Sequence, residues 1–429
     1  MREGTAIWVQ KFGGSTVATP EGRRFLVQRV KDALGAGKKV VAVVSAMGRK
    51  GDPYATDTLL SLVEAEGPSD DRERDLLLSS GEIIAAVICA AALRAGGVEA
   101  QALTGPQAGI MTDGRFGDAQ IIGVDIRRLE ELLQKRVVPV VAGFQGLSPD
   151  GQVTTLGRGG SDTTAAALGV ALQAEVVEIY TDVPGIQTAD PSLVPEAVLL
   201  PEVTYDEVFQ LAHGGGKVVH PRAVELLMRA GIPIRVRRAR DTEGGTWVVR
   251  ERQGQDPWGT YGRPVTFVTQ KPHLVLVEVE GDLWDQARAF RAVADAGISV
   301  DLIHIHRRGQ SFTVPEEVAE KVEEALLRAG FSPRMEGGLA KVTVVGSGMH
   351  GRPGVAAAVV EALAEKGIPI LAAADSHVTV SCLVPGEAMA EAVRALHRRF
   401  GLAEEETKAW ERGQGYVGEG RLGGPGHSL

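Results

Sequence analysis

The stretch TTLGRGGSDTTAAALGVAL (154–172) decides how the chain folds. It sets three glycines around an arginine, follows them with Ser161-Asp162-Thr163-Thr164, and ends in an apolar run. A loop of this kind feeding a helix uses glycine where the backbone turns sharply or approaches a ligand. Ser161 or Asp162 can cap the helix that follows. Arg158 has no packing task inside a glycine loop, whereas a guanidinium beside a helix N-terminus suits bidentate binding of a carboxylate or phosphate. Working outward, VVPVVAGF (137–144) precedes the stretch and EVVEIYTD (175–182) follows it, with AIWVQKF (6–12), KKVVAVVS (38–45) and IPIRVRR (232–238) further away. Most of these runs are apolar on consecutive positions, the pattern of strands buried on both faces. Between them lie helical patterns. Thr19-Pro20 offers an N-cap and an N1 proline for one that ends at Gly35 and Gly37, and another follows Pro221 and stops at Gly231. Residues 70–93 form a longer one, interrupted near Gly81. The alternation predicts an α/β domain whose largely parallel sheet is sandwiched by helices.

Composition narrows the function. The 429 residues suggest two to four domains at roughly 150 residues each. Lys plus Arg number 46 against 55 Asp plus Glu, a net charge of −9, so no basic surface for nucleic acid is expected. Glycine is the outlier: 54 are present where average usage of about 7% predicts roughly 30. Cys89 and Cys382 each sit in an apolar stretch and read as buried free thiols. The N-terminus has no apolar signal region, and the longest apolar run, 83–93, is too short to span a bilayer. A cytoplasmic protein, with no membrane partner, is the expectation.

Beyond the α/β region the sequence repeats itself. HLVLVEVEG (273–281) resembles AKVTVVGSG (340–348), and VPEEVAEKVEEALL (314–327) matches VPGEAMAEAVRALH (384–397) at an offset of 70. Each copy reads β-α-β-β-α, the mark of two related modules. The expected division is therefore a first domain over 1–240, a linker with one short strand over 241–264, modules over 265–335 and 336–402, and a glycine-rich disordered tail over 403–429.

Two more glycine segments adjoin strand ends. Lys11-Phe12-Gly13-Gly14-Ser15-Thr16 could cradle a phosphate on backbone amides with a lysine alongside, or could be a plain tight turn. YTDVPGIQTADP (180–191) puts Thr181 and Asp182 where open α/β sheets bind ligands, Asp182 reading either as an acceptor for ribose or adenine or as a plain turn residue. HGGGKVVHP adds Lys217 after three glycines, as a helix entry or a phosphate-facing cation.

Taken in order, KFGGST, VVSAMGRKGDPYATDTLL, LLLSSGEI, TGPQAGIMTD, VVAGFQG, TLGRGGSDTTA, YTDVPGIQTADP and GKVVHPRAVELLMRAGIPIRVR resemble the signature segments of the aspartate kinase (aspartokinase) family. The C-terminal repeat is similar to that family's paired ACT regulatory domains. Within the family, SAMGRKGDPYATDTLL and AADSHVTV look most like the monofunctional bacterial form regulated by diaminopimelate. The resemblance implies an amino-acid-kinase fold followed by two βαββαβ ACT modules. It implies ATP-dependent phosphorylation of L-aspartate to 4-phospho-L-aspartate, the entry to lysine, diaminopimelate, threonine and methionine synthesis. By motif position, Lys11 and Asp162 would be catalytic. Lys11, Gly13, Gly14, Ser15, Thr181, Asp182, Gln187, Asp190 and Lys217 would hold ATP. Ser45, Thr56, Glu82, Arg158, Ser161 and Asp162 would hold aspartate, with Arg158 on the α-carboxylate and Glu82 on the ammonium. Mg²⁺ would ride on ATP with no dedicated protein metal site. The effector, diaminopimelate, lysine or threonine, would use Met349, Gly354 and Val355, and a homodimer or higher oligomer would form through the ACT modules. Two departures stand out. Gln187 and Ser192 replace a common tyrosine and arginine, and Leu283-Trp284-Asp285 replaces the Pro-Gly turn that the second module keeps as Pro353-Gly354. Other amino-acid-kinase-fold enzymes, such as N-acetylglutamate kinase, lack the tandem ACT pair and the GRGGSDTTA segment.

Overall fold

The structure is a computed structural model, and it describes residues 6–214, 216, 218–252, 264–349 and 351–403. In chain order the first region comprises β1 (Ile7–Phe12), α1 (Gly14–Ala18), α2 (Pro20–Gly35), β2 (Lys39–Val44), α3 (Thr56–Glu66), α4 (Asp71–Ala95), β3 (Ala100–Leu103), β4 (Ile110–Thr112) and β5 (Ile121–Val124). It continues with α5 (Arg127–Gln134), β6 (Val138–Ala142), β7 (Gln145–Leu147), β8 (Val153–Thr155), α6 (Gly160–Ala171), β9 (Val176–Thr181), β10 (Glu202–Thr204), α7 (Tyr205–His213), α8 (Pro221–Ala230), β11 (Ile234–Arg238) and β12 (Thr246–Val249). The second region holds β13 (Phe267–Glu280), α9 (Leu283–Asp295), β14 (Asp301–His306), β15 (Gly309–Pro315), α10 (Ala319–Arg328), β16 (Arg334–Val345), α11 (Val355–Ala364), β17 (Ala372–Asp375), β18 (Thr379–Pro385) and α12 (Met389–Arg399).

The first region is built on an eight-stranded sheet in the order β10-β12-β11-β9-β1-β2-β6-β3. From β11 to β3 every neighbouring pair is parallel, and only β12 runs antiparallel to β11. All five strands expected from sequence lie in this parallel stretch. A smaller sheet, β5-β4-β7-β8, stands apart from it. Helix starts follow the local chemistry. The Thr19 side chain accepts from the Gly22 amide at the start of α2, with Pro20 at its first position, and Gly231 ends α8 in a left-handed conformation.

The expected break in α4 is absent, since the helix runs unbroken through Gly81. The glycine is there for clearance. A Cβ at Gly81 would come within 3.0 Å of Ala46 Cβ and 3.1 Å of the Tyr54 carbonyl oxygen. By length and composition α4 could cross a membrane, but it buries Ala85, Ala86, Cys89, Ala90 and Leu93 in the core formed with β2 and β6. Both Cys89 and Cys382 are buried free thiols.

The chain divides into two compact units, 1–187 with 199–253 and 188–198 with 254–429. The expected first domain is therefore interrupted. Segment 188–198 belongs to the second unit, where Ala189 and Val194 join its core. The second unit also departs from two consecutive modules. Its single six-stranded sheet has the order β14-β15-β13-β16-β18-β17. In β13, residues 267–271 pair with 341–345 of β16, while 274–278 pair with 334–339. Only 274–280 of β13 pair with β15, and only 339–345 of β16 pair with β18. Each long strand thus serves both modules, and the second module takes its outer strand from residues that precede the first. The β-α-β-β-α order of each copy is as read. The tail beyond Ala403 lies outside the described residues.

Candidate active site

Four parallel strands bring their C-terminal ends together: β1 with Lys11, β2 followed by Ser45, β6 followed by Phe144, and β9 ending at Thr181. Here, where open α/β sheets take their ligands, a cavity of about 610 Å³ opens. Lys11, Ser45, Thr56, Glu82, Arg158, Ser161 and Asp162 all line it. The Lys11 Nζ lies 2.8 Å from Asp162 Oδ1, both side chains being nearly buried. Asp162 Oδ2 accepts from the His220 amide at 3.2 Å. Burial holds the His220 imidazole below its ordinary range, against the opposing pull of the Asp162 charge.

The glycines around Lys11 have two distinct reasons. Gly13 donates its amide to the Tyr180 carbonyl at 3.1 Å, and a Cβ there would lie 3.8 Å from the Lys11 ammonium. At Gly14 a Cβ would come within 2.4 Å of the Ala46 carbonyl oxygen, so only glycine lets this turn pass the end of β2. Tyr180 itself is locked. Its ring stacks on Phe12 at 4.7 Å, and its hydroxyl bonds Glu178 and Arg237 at 2.9 Å each.

The decisive loop behaves differently from a capped helix start. Gly159, with φ +68°, occupies the N-cap of α6, and no side chain caps it. Ser161 and Asp162 sit inside the first turn instead, and Asp162 spends its carboxylate on Lys11 and His220. Neither the Ser161 nor the Asp162 amide donates to a protein acceptor among the described residues, which leaves an anion-ready helix end facing the cavity. Arg158 is exposed at the rim and makes no ion pair or hydrogen bond among the described residues.

Glu82 faces this arrangement from α4. It is 3% exposed, its Oε1 accepts from the Ala46 amide at 3.1 Å, and its Oε2 has no partner among the described residues. Burial pushes the carboxyl up to about 8, with the Ala46 amide pulling weakly the other way. A buried carboxyl with one oxygen unsatisfied beside a cavity can receive a cation or a hydrogen-bond donor.

The sequence is similar to known proteins over most of its length. Residues 6–238 match the amino acid kinase family, and 334–398 match the ACT domain. Aspartokinase 1 of Bacillus subtilis is 44% identical, over 93% of this chain and all of its own length. The aspartokinase of Geobacillus stearothermophilus is 41% identical, over 93% of this chain and 98% of its own. The crystal structure of E. coli aspartokinase III in complex with aspartate and ADP superposes with a TM-score of 0.75 at 26% identity, covering 92% of this chain and 99% of that one. The chain belongs to the aspartokinase family.

The aspartokinase residues expected from the sequence are spread over both units. Lys11, Ser45, Thr56, Glu82, Arg158, Ser161 and Asp162 share the cavity, with Gly13, Gly14 and exposed Ser15 in the adjoining turn. Thr181 and Asp182 stand at the end of β9, where Asp182 pairs with Arg49 at 2.6 Å, and Gln187 lies further along, bridged to Leu199. Asp190 belongs to the second compact unit, where its carboxylate accepts from Ser192 and from Gln270. Lys217 lies outside the described residues. In the second unit the Met349 and Val355 side chains are buried in the module's core, and Gly354 begins α11 with φ +95°. Of the effector loop, then, the backbone rather than these side chains is presented.

Phe144 and Asp75 are among the cavity residues that the sequence reading does not name. Phe144 lines the site in a left-handed backbone conformation, φ +70°, held by its amide donating to Thr164 and its carbonyl accepting from Leu156. Nothing in VVAGFQG announces that. Asp75 also lines the cavity, seven residues before Glu82 on α4, and that spacing, two helical turns, was a usable signal.

Proposed function

We propose that this chain transfers the γ-phosphoryl group of ATP to the β-carboxylate of L-aspartate, giving ADP and 4-phospho-L-aspartate. The single observation that carries the reading is the convergence of Lys11–Asp162, Arg158 and Glu82 on one cavity at the strand ends. The nucleophile needs no general base, because a carboxyl with an ordinary pKa near 3.9 is already ionised at neutral pH. One of its oxygens forms the new O–P bond while the bond between Pγ and the β–γ bridging oxygen breaks, and the electron pair leaves on ADP. No proton moves. The barrier is the approach of one anion to another, so positioning and charge neutralisation supply the catalysis.

Lys11 does the neutralising. Asp162 holds its ammonium against the Gly13–Ser15 turn, which admits phosphate oxygens because no Cβ intervenes. The free amides at the start of α6 face the same space. Arg158 grips the α-carboxylate as a fork, Glu82 takes the ammonium, and Ser45, Thr56 and Ser161 add hydrogen bonds. ATP enters with Mg²⁺ coordinated by its phosphate oxygens and water. Thr181, Asp182 and Gln187 hold the nucleoside, Asp182 releasing Arg49 to do so, and Lys217 provides a second cation.

E. coli aspartokinase III has been crystallised with lysine and aspartate in a T-state and with aspartate and ADP in an R-state. By analogy, the second unit here senses an end-product amino acid and favours one of two states. Diaminopimelate is the effector we favour, from the SAMGRKGDPYATDTLL and AADSHVTV segments, and the Met349–Val355 loop is its seat. A homodimer through the ACT modules and a cytoplasmic location complete the proposal. The test is a hydroxamate assay for acyl phosphate with Mg-ATP and aspartate. Absence of aspartate-dependent hydroxamate defeats the reading.

A further inference from the structure

Asp75 is 1% exposed and pairs with no cation among the described residues, yet its carboxylate is crowded with donors. The Gly117 amide reaches its two oxygens at 3.1 and 3.0 Å. The Thr155 amide donates at 2.7 Å and the Thr155 hydroxyl at 2.6 Å. A buried carboxylate is tolerated only when its lone pairs are used in this way. The donors come from two segments, and the β7–β8 hairpin that holds Thr155 is tied to α4 as well by Arg72 donating to Gln152 at 2.6 Å and by Gln145 donating to the Ser79 carbonyl at 2.8 Å. Thr155 ends β8 and immediately precedes Leu156 and the Gly157–Gly160 loop that carries Arg158. Gly117 lies in the loop after β4, next to Phe116, and both line the cavity. The two segments are joined to each other through the Ala119 amide on the Thr155 carbonyl, and Asp118 pairs with Arg222 at 2.8 Å.

Asp75 and Glu82 lie seven residues apart, hence on one face of α4 and about 10 Å apart along it. One helix therefore fixes both the cation receptor, Glu82, and the anchor of the loop that aims Arg158. Gly157 and Gly159 have φ of +69° and +68°, and Arg158 between them has no partner of its own among the described residues. Its aim depends on where the loop is pinned. We propose that Asp75 is a positioning residue that sets the spacing between Glu82 and Arg158, and so the affinity and selectivity for an amino acid whose ammonium and α-carboxylate must be gripped together. This rests on the aspartate kinase reading of the site.

The experiment compares Asp75→Asn and Thr155→Val with wild type in steady-state kinetics and in amide hydrogen exchange. Asparagine presents an NH₂ where two donors already converge, while Thr155→Val deletes only the hydroxyl contact. The expected result for Asp75→Asn is an aspartate KM raised at least tenfold, an ATP KM within twofold and a kcat within fivefold. Thr155→Val should raise the aspartate KM about threefold. The Gly117 and Thr155 amides should exchange at least tenfold faster in Asp75→Asn, while the Ala46 amide, held by Glu82, keeps its protection. An aspartate KM within twofold of wild type in Asp75→Asn overturns the proposal, as does an equal loss for ATP and aspartate, which would mark general structural support. If Asp75→Asn does not fold, an aspartate KM unchanged in Thr155→Val overturns it. Failure of the wild-type protein to phosphorylate aspartate would sink the functional reading instead, and the exchange measurement, which needs no substrate, would still judge whether Asp75 pins the two loops.

Discussion

Glu82 leads to a measurable proton linkage. With its carboxyl raised to about 8 by burial, it is about nine-tenths protonated at pH 7 in the free protein. To hold the ammonium of aspartate it must ionise. An ammonium in contact lowers a carboxyl by about one to three units, and at the upper end Glu82 is charged in the complex at pH 7. Binding then releases about 0.9 proton per aspartate at that pH, and ionising the carboxyl costs about 1.4 kcal/mol of affinity. Because the ionised fraction of the free protein climbs from about 1% at pH 6 to about half at pH 8, the dissociation constant should tighten about 50-fold over that span. Calorimetric titration of aspartate in the presence of ADP, in two buffers of different ionisation enthalpy, reads both quantities. Glu82→Gln serves as the control, since any pH dependence that survives it belongs to the ligand or to other groups. A release below about 0.2 proton at pH 7, together with an affinity flat between pH 6 and 8, would refute the reasoning.

The same carboxyl gives a stability prediction. Its folded pKa stands above the ordinary 4.5, so the folded state binds the extra proton, and stability should decline as pH rises from about 4.5 to about 8. Thermal melts of Glu82→Gln should lack this decline, and a parallel decline in the variant would assign it elsewhere. Lys11→Ala should lower kcat at least 100-fold by removing the charge nearest the transferring group while leaving aspartate affinity within a few-fold; activity within tenfold of wild type would strip Lys11 of its role. Gly159→Ala places a Cβ within 2.2 Å of His220 Cγ in a left-handed backbone and should cost about 2–3 kcal/mol in urea melts. Gly97→Ala, equally left-handed with open space around it, should cost about 1 kcal/mol or less, and equal costs would mean that packing against His220 is not the cause. At Gly354 a Cβ meets nothing within 4 Å, so Gly354→Asp should fold and should weaken end-product inhibition by lysine, threonine or diaminopimelate. Unchanged binding and inhibition would remove the loop from the effector site.

Much of the site was legible because its residues sit within a few positions of strand ends that announce themselves. Lys11, Ser45, Arg158 and Asp162 each follow an apolar run or a glycine turn, and period and punctuation suffice to place them. The repeat was legible for a similar reason, since each copy carries its own hydrophobic pattern. What failed was long-range. Gly81 looked like a helix break because a sequence cannot show that Ala46 and the Tyr54 carbonyl press against that face. The buried Glu178–Arg237–Tyr180 cluster under the Gly13 turn joins two parallel strands whose pairing no local pattern specifies. Ser161 and Asp162 have the composition of a helix cap, and only the partnership with Lys11 reveals that one of them is otherwise engaged.

The two long strands β13 and β16 also limit how the regulatory region could be altered. Removing residues 265–335 as a cassette would take away the first module and strip the second of its outer strand. Fusing 336–402 alone to another protein would leave β16 with an open edge where 267–271 used to lie, an invitation to aggregate. A recombinant intended to exchange effector specificity between relatives should therefore move both modules together and carry segment 188–198, which belongs to the same unit, with them.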